Sequence, residues 1–363
     1  MGRGAPLRLE GSRRLARGAL TYNRRKLDRG RDATQPGQIP PRGWRDIALR
    51  VWRDLERDNI SLIAAGLAMY GLLAVFPALA AVISLYGLLF TPDDVIRHMK
   101  GFSAILPPGV WDIFNAQLQD VARRQSGTLT LAAVLAAVVA LGSARSGMAS
   151  LMRASNIAYQ ERESRSLLRR LHVSLAFTLG ALVGLILLVA LGVAAPLVLH
   201  VFSESPWIHG VLAVIRWTLL WIFAVLGCAA TYRFAPARAP ARWHWVSVGS
   251  VVAATLWIAG SALFAFYVGT VGSYTVVYGA LGGVVVLLLW FYLSSFFLIL
   301  GAEINAETER QTRCDTTAGT ESPLGTRGAF AADTVGPTSE EMADGDVNRG
   351  NRSLKPRRRR PAE

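Results

Sequence analysis

The chain has 363 residues, is 52% apolar, and carries 39 Lys and Arg against 25 Asp and Glu, a formal charge of +14. Its charges gather at the ends and in a few short loops, leaving long runs almost uncharged, which argues against an ordinary soluble domain and for a membrane protein. Cys228 in an apolar run and Cys314 in a polar stretch share no setting, which argues against a structural disulfide and for free thiols in a reducing compartment.

Residues 1–42 are rich in Arg, Gly and Pro without apolar periodicity and are expected to be disordered. From Trp44 the pattern turns helical. Trp44, Ile47, Ala48, Val51, Trp52 and Leu55 share one face, while Arg45, Asp46, Arg50, Arg53, Asp54 and Arg57 share the other. This predicts an amphipathic helix lying on the inner membrane surface. The first apolar run begins near Ser61, behind an Arg-rich leader, and is too long for a signal h-region, so it is expected to remain as an anchor.

A hydrocarbon core of ~30 Å needs roughly 20 helical residues. Six segments meet or approach that length: Leu62 to Phe90, Thr128 to Met148, His172 to Leu199, Val211 to Tyr232, Val246 to Val268 and Gly279 to Gly301. Pro77 is a candidate kink in the first. The external segment from Thr91 to Gly127 carries apolar residues at helical intervals on either side of Pro107 and Pro108, which predicts one or two short amphipathic helices. The stretch 311–363 is polar and is expected to be a disordered tail, leaving 43–310 as the membrane domain.

Orientation follows from where the basic residues fall. With these spans, 34 of the 39 lie on one side: 15 before the first helix, 6 from Arg145 to the third, 3 between the fourth and fifth, and 10 after the sixth. Both termini are therefore expected in the cytoplasm. Topology and attraction to anionic headgroups account for the charge, and no nucleic acid partner is expected. The Arg357 to Arg360 run reads as a solvated or lipid-facing tail.

Soluble-enzyme signatures are missing: there is no G-x-x-x-x-G-K-[ST] run, no H-E-x-x-H, no paired C-x-x-C and no G-x-S-x-G. The five histidines are scattered over both expected sides, which disfavours a metal site, and no cofactor is expected. Polar residues instead collect at the cytoplasmic helix ends, where charge near hydrocarbon is costly unless paired or hydrated. Arg145, Asn156, Tyr159, Arg233, Glu303 and Asn305 are the candidates there for substrate binding or gating. Glu303 is expected either to pair with Arg145 or Arg233, or to snorkel into the interface with only a topogenic role.

On the outer side, Gly269 to Gly283 is uncharged and contributes Tyr278 as a further candidate; the segment reads as a tight turn with an aromatic belt or as a cavity lining. Gly180 and Gly184 form a G-x-x-x-G pair of the kind that marks helix packing.

Three blocks carry a family resemblance: Ile63 to Leu79 (IAAGLAMYGLLAVFPAL), Gly142 to Arg165 (GSARSGMASLMRASNIAYQERESR), and Tyr232 to Ala306, which runs from YRFAPARAPARWHW to YGALGGVVVLLLWFYLSSFFLILGAEINA. In this order they resemble the YihY/BrkB family of bacterial inner-membrane proteins, over about Trp44 to Arg310. Gly66 stands where that family usually has Ala, and Ala74 where it often has Ser, so no hydroxyl role is available at Ala74.

The resemblance implies a six-helix inner-membrane protein with cytoplasmic ends. It also brings an old label, ribonuclease BN, which looks like a misassignment, and links to serum resistance and to envelope lipids. The expectation is an all-α polytopic membrane protein, not an enzyme, that is transporter-like or handles envelope lipids or amphiphiles, with membrane lipids as its partners. The alternatives are a scaffold whose tails recruit partners and a membrane-associated ribonuclease.

Overall fold

The computed structural model describes residues 29–86, 129–181, 183–184, 206–270 and 280–345. The first 28 residues, the external segment, the outer part of the third expected span, Tyr278 and the terminal Arg run lie outside the described residues. Those described are helical apart from turns, loops and one isolated antiparallel bridge, Ala241 with Thr317. The long helices among the described residues are α1 (Pro41–Arg57), α2 (Ile60–Tyr86), α3 (Leu129–Ala158), α4 (residues 167–181), α5 (Pro206–Phe234), α6 (Ser247–Thr270) and α7 (Ala280–Glu309).

Three stretches, Gly210–Phe234, Ser247–Thr270 and Gly282–Glu309, are each long and apolar enough to cross a bilayer. Large apolar side chains along them face outward, among them Val214, Leu226, Leu263 and Phe266. Such a belt costs little only when hydrocarbon is the solvent. α2, α3 and α4 coincide with the first three expected spans, and α3 runs ten residues past Met148, the expected end of the second span.

α6 and α7 meet backbone to backbone. A Cβ on Gly301 would collide with the Tyr232 hydroxyl, and would sit 2.6 Å from the Gly249 carbonyl oxygen and 2.7 Å from the Ala253 Cβ. A Cβ on Gly249 would in turn strike the Gly301 carbonyl. The two backbones touch there because neither residue has a side chain. Farther along, Trp257 Nε1 donates to Ser294 Oγ at 3.0 Å and Trp290 Nε1 to Ser261 Oγ at 3.1 Å, so each indole N–H finds a partner on the facing helix. Trp221 does the same to Thr255 between α5 and α6. Of the G-x-x-x-G pair, Gly184 packs against the Phe223 ring of α5, and Gly180 meets nothing.

At one end of the bundle the chain is knitted into a polar cap. α1 is amphipathic, and Ile47 and Val51 are buried. Its charged face is not left to water, however: Asp46, Arg50 and Asp54 are buried too. Arg29 donates to both Asp46 oxygens at 2.8 Å and to Glu340 at 2.7 Å. Arg50 bonds the Glu307 carboxylate, the Glu307 carbonyl (2.9 Å), Gln311 Oε1 (2.9 Å) and the Pro337 carbonyl (3.0 Å). Burial opposes ionisation of Asp46, but the bonds from Arg29 and Ser339 hold its carboxyl below the usual range.

The expected disorder is therefore corrected at both ends of the domain. Residues 29–42 and 311–345 are folded into the cap. The physical reason is that guanidinium groups hold these segments, alongside a few buried apolar side chains such as Ala33, Ile39 and Ala331. Arg327 donates to the carbonyls of Ser322, Cys314, Ala332 and Arg313 at 2.7 to 3.1 Å. Arg31 donates to the Gly336 carbonyl at 2.7 Å, while its own carbonyl accepts from the Arg313 N–H at 2.8 Å. Carbonyls of an irregular segment are satisfied without any periodic pattern.

Two outcomes follow. Gly301→Leu is expected to lower the detergent-solubilised melting temperature by an amount that reflects overpacking of about 1–3 kcal/mol, whereas Gly180→Ala, which meets no neighbour, leaves it unchanged or slightly higher. Arg327→Ala frees four carbonyls at once and should open residues 313–335 to limited proteolysis, read by mass spectrometry of the fragments, without shifting helical circular dichroism.

Candidate functional site

The first turn of α6 is held from outside by Asn305 on α7. Its Oδ1 accepts the Gly249 N–H at 2.7 Å, one of the N–H groups that a helix start leaves unpaired, and its Nδ2 donates to the Val246 carbonyl at 3.0 Å. Asn156 plays a similar part at the end of α3, accepting the Ala237 N–H at 2.7 Å and donating to Glu163 at 3.1 Å. Glu163 is in turn held by Arg165, which also donates to the Ala235 carbonyl at 2.8 Å. Both asparagines clamp backbone, and their fixed amides leave little freedom to meet a substrate.

Tyr159, just past α3, is fully buried, and the Arg238 guanidinium lies 4.6 Å over its ring. Burial pushes the phenol up, so it stays neutral. Arg238 donates to both oxygens of Glu309 at 2.8 Å, with both side chains wholly buried, and Thr316 adds a 2.8 Å bond to the same carboxylate. The sequence reading passed over Arg238 and Glu309. The available signal was three acids, Glu303, Glu307 and Glu309, crowded at the end of a long apolar helix.

The expected pairing of Glu303 with Arg145 or Arg233 is corrected. Arg233 bonds the Ala241 carbonyl and stacks over Trp243 at 4.6 Å and Phe234 at 5.4 Å. Arg145 points outward from α3 and is exposed. Snorkelling does not describe Glu303 either: it is 1% exposed, and neither carboxylate oxygen has a hydrogen-bond partner. Its charged surroundings include Asp54, Asp58 and Glu307, with Arg310 as the countervailing charge. Burial, then Glu307 and Asp58, raise the Asp54 carboxyl to about 6. Burial likewise raises Asp58.

Arg145 belongs to a second feature, an open cleft of about 480 Å³ between α2, α3 and α4. Its wall carries Arg145, Ser146 and Arg153 from α3, Leu168 and Arg170 from α4, and Tyr70 from α2. Among the described residues none forms an ion pair with these three arginines; Arg153 bonds only within its own helix, to the Ala149 carbonyl and Ser150. Leu167 and Leu168 beside them are 83% and 70% exposed, so three guanidinium groups stand next to an uncovered apolar edge. Among the described residues no His, Cys, Asp and Glu group lies in a metal-binding arrangement.

The family described as Virulence factor BrkB matches residues 51–323. The chain is 32% identical over 248 residues, 67% of its own length and 88% of the relative's, to the protein named YfkH of Bacillus subtilis, described as ribonuclease-like. It is 26% identical to a UPF0761 membrane protein of Tolumonas auensis, covering 70% of this chain and 82% of that one. A UPF0761 membrane protein of Albidiferax ferrireducens is 27% identical, over 72% and 62% of the two chains. No solved structure matches. The matched span takes in α2 to α7, the Glu303 surroundings and the arginine cleft, and this membrane protein belongs to the BrkB family.

Proposed function

We propose that this protein binds and handles an anionic amphiphile of the bacterial inner membrane, in a transporter-like bundle of six spans with both termini cytoplasmic. The observation that carries the reading is the cleft between α2, α3 and α4: three arginines without acidic partners among the described residues, beside exposed leucines. Guanidinium groups recognise phosphate and carboxylate oxygens through paired N–H donors, and an adjoining apolar edge suits an acyl chain. The location also fits, because the cleft lies where the Arg-rich loop joins α3 to α4, the side that the charge asymmetry makes cytoplasmic.

Scaffolding through the tails has less support, since residues 311–345 are engaged in bonds to the rest of the cap. The reading assigns no catalytic step.

Lipid retention tests it. In nanodiscs of mixed phosphatidylglycerol and phosphatidylcholine, native mass spectrometry is expected to show bound phosphatidylglycerol on the wild type. Each of Arg145→Ala, Arg153→Ala and Arg170→Ala should weaken retention about fivefold, in line with about 1 kcal/mol per basic residue near an anionic surface. Retention should also fall as salt is raised. Equal retention of both lipids, unchanged by the triple substitution, would remove the cleft as the site.

A further inference from the structure

Among the described residues, Glu303 is the one carboxyl with both oxygens buried and unpartnered. It sits on α7 two turns before the helix ends, facing the junction where α1 turns into α2, and both its oxygens are buried without a donor. An ionised carboxylate taken out of water costs several kcal/mol unless donors or a cation replace its hydration. Neither is supplied here.

The charged and titratable groups around it can be taken element by element. From α1 come Asp54 and Asp58, with Arg57 reaching both at 3.9 Å from its exposed position. From α7 come Glu307 and Arg310, but Arg310 bonds Glu307, and Arg50 of α1 bonds the same carboxylate from its other side. The first turns of α2, residues 60–69, carry no titratable group, and Ile60 and Ala64 there are fully buried. From the end of α3 comes Tyr159, fully buried and close enough to respond to the charge of Glu303. The cations here are thus committed to Glu307 or held at the rim, and the remaining neighbours of Glu303 are acids or a neutral phenol.

We propose that Glu303 is a proton-binding site, occupied as the neutral carboxylic acid in the packed state and emptied when the seam between α1 and α7 opens to water. Tyr159, from a different element, is a neutral phenol close enough to feel the charge of Glu303 and supplies no cation to it. A proton suits the site better than a metal ion, because the described carboxylates do not converge into a metal-binding group. Release of the proton sets a new negative charge beside Asp54, Asp58 and Glu307, and their repulsion pushes α1 away from α7. The chemistry of the site is thereby coupled to the position of the whole cap. The proposal rests on this buried geometry and is independent of the amphiphile reading.

Infrared spectroscopy of the full chain in nanodiscs provides the test. At pH of about 8 Asp54, raised only to about 6, is ionised, so a carboxylic acid C=O band in the wild type must come from a group held more firmly. The expected result is a band that persists in Asp54→Asn and is lost in Glu303→Gln, which keeps the shape of the neutral acid. Absence of the band in the wild type overturns the proposal without recourse to any variant, as does its survival in Glu303→Gln. A band that appears only after sodium is removed also overturns it, in favour of a bound cation.

Thermal melts supply a second readout. Asp54 stabilises the fold as the neutral acid, so its contribution is present at low pH and lost as pH rises through about 6. Asp54→Asn should abolish that step. A further loss of stability at higher pH, absent only in Glu303→Gln, is expected from Glu303; a wild type with no such later loss would contradict the proposal.

Discussion

The contact of Gly249 with Gly301 sets the rest of the architecture. Because neither residue has a side chain, α6 and α7 approach until their backbones touch, and the start of α6 is drawn alongside the last two turns of α7. Asn305 can then reach the unpaired N–H of Gly249 and the carbonyl of Val246. The loop that leads into α6 follows, which carries Arg238 down onto Glu309 and Ala241 against Thr317. A larger residue at the crossing would separate the helices and undo each of these contacts in turn.

This placement creates an acid-rich helix end that water does not reach, and the cap answers it. Glu307 is met by Arg50 and Arg310, and Glu309 by Arg238 and Thr316. Burying ion pairs costs desolvation, which the pairs offset only with good geometry and further hydrogen bonds. Those bonds come from carbonyls and side chains of residues 29–40 and 311–345, so the cap and the helix end are stabilised together. Glu303 is the acid that this arrangement leaves without a cation.

The helices were legible in the sequence because hydrocarbon demands length and apolarity, and both can be read along a single chain. The described parts of α2 to α7 fall where the hydropathy pattern placed them, and the BrkB resemblance was legible in three blocks. The cap was not legible. Arg29, Arg31 and Arg327 act through long-range bonds to carbonyls, and such bonds leave no periodicity in composition. The same gap explains α1, whose Asp46, Arg50 and Asp54 look like a solvated face until their partners some 250 to 300 residues away are in place. Among the candidates, Asn156 and Asn305 were found for their polarity at helix ends, though their geometry is that of backbone clamps. Glu303 was singled out for the cost of charge near hydrocarbon, but its expected partners are elsewhere, because proximity of Arg145 and Arg233 in the topology said nothing of which way they face.

Arg29 bridges Asp46, close to it in sequence, and Glu340, 311 residues away. During synthesis the first of these partners is available almost at once, and the second only after every helix has emerged. The cap therefore closes last. Until then Arg29, Arg31 and Arg50 lack the partners that residues 336–340 supply, so the segment before the first helix and the segment after the last one become ordered in a single late event.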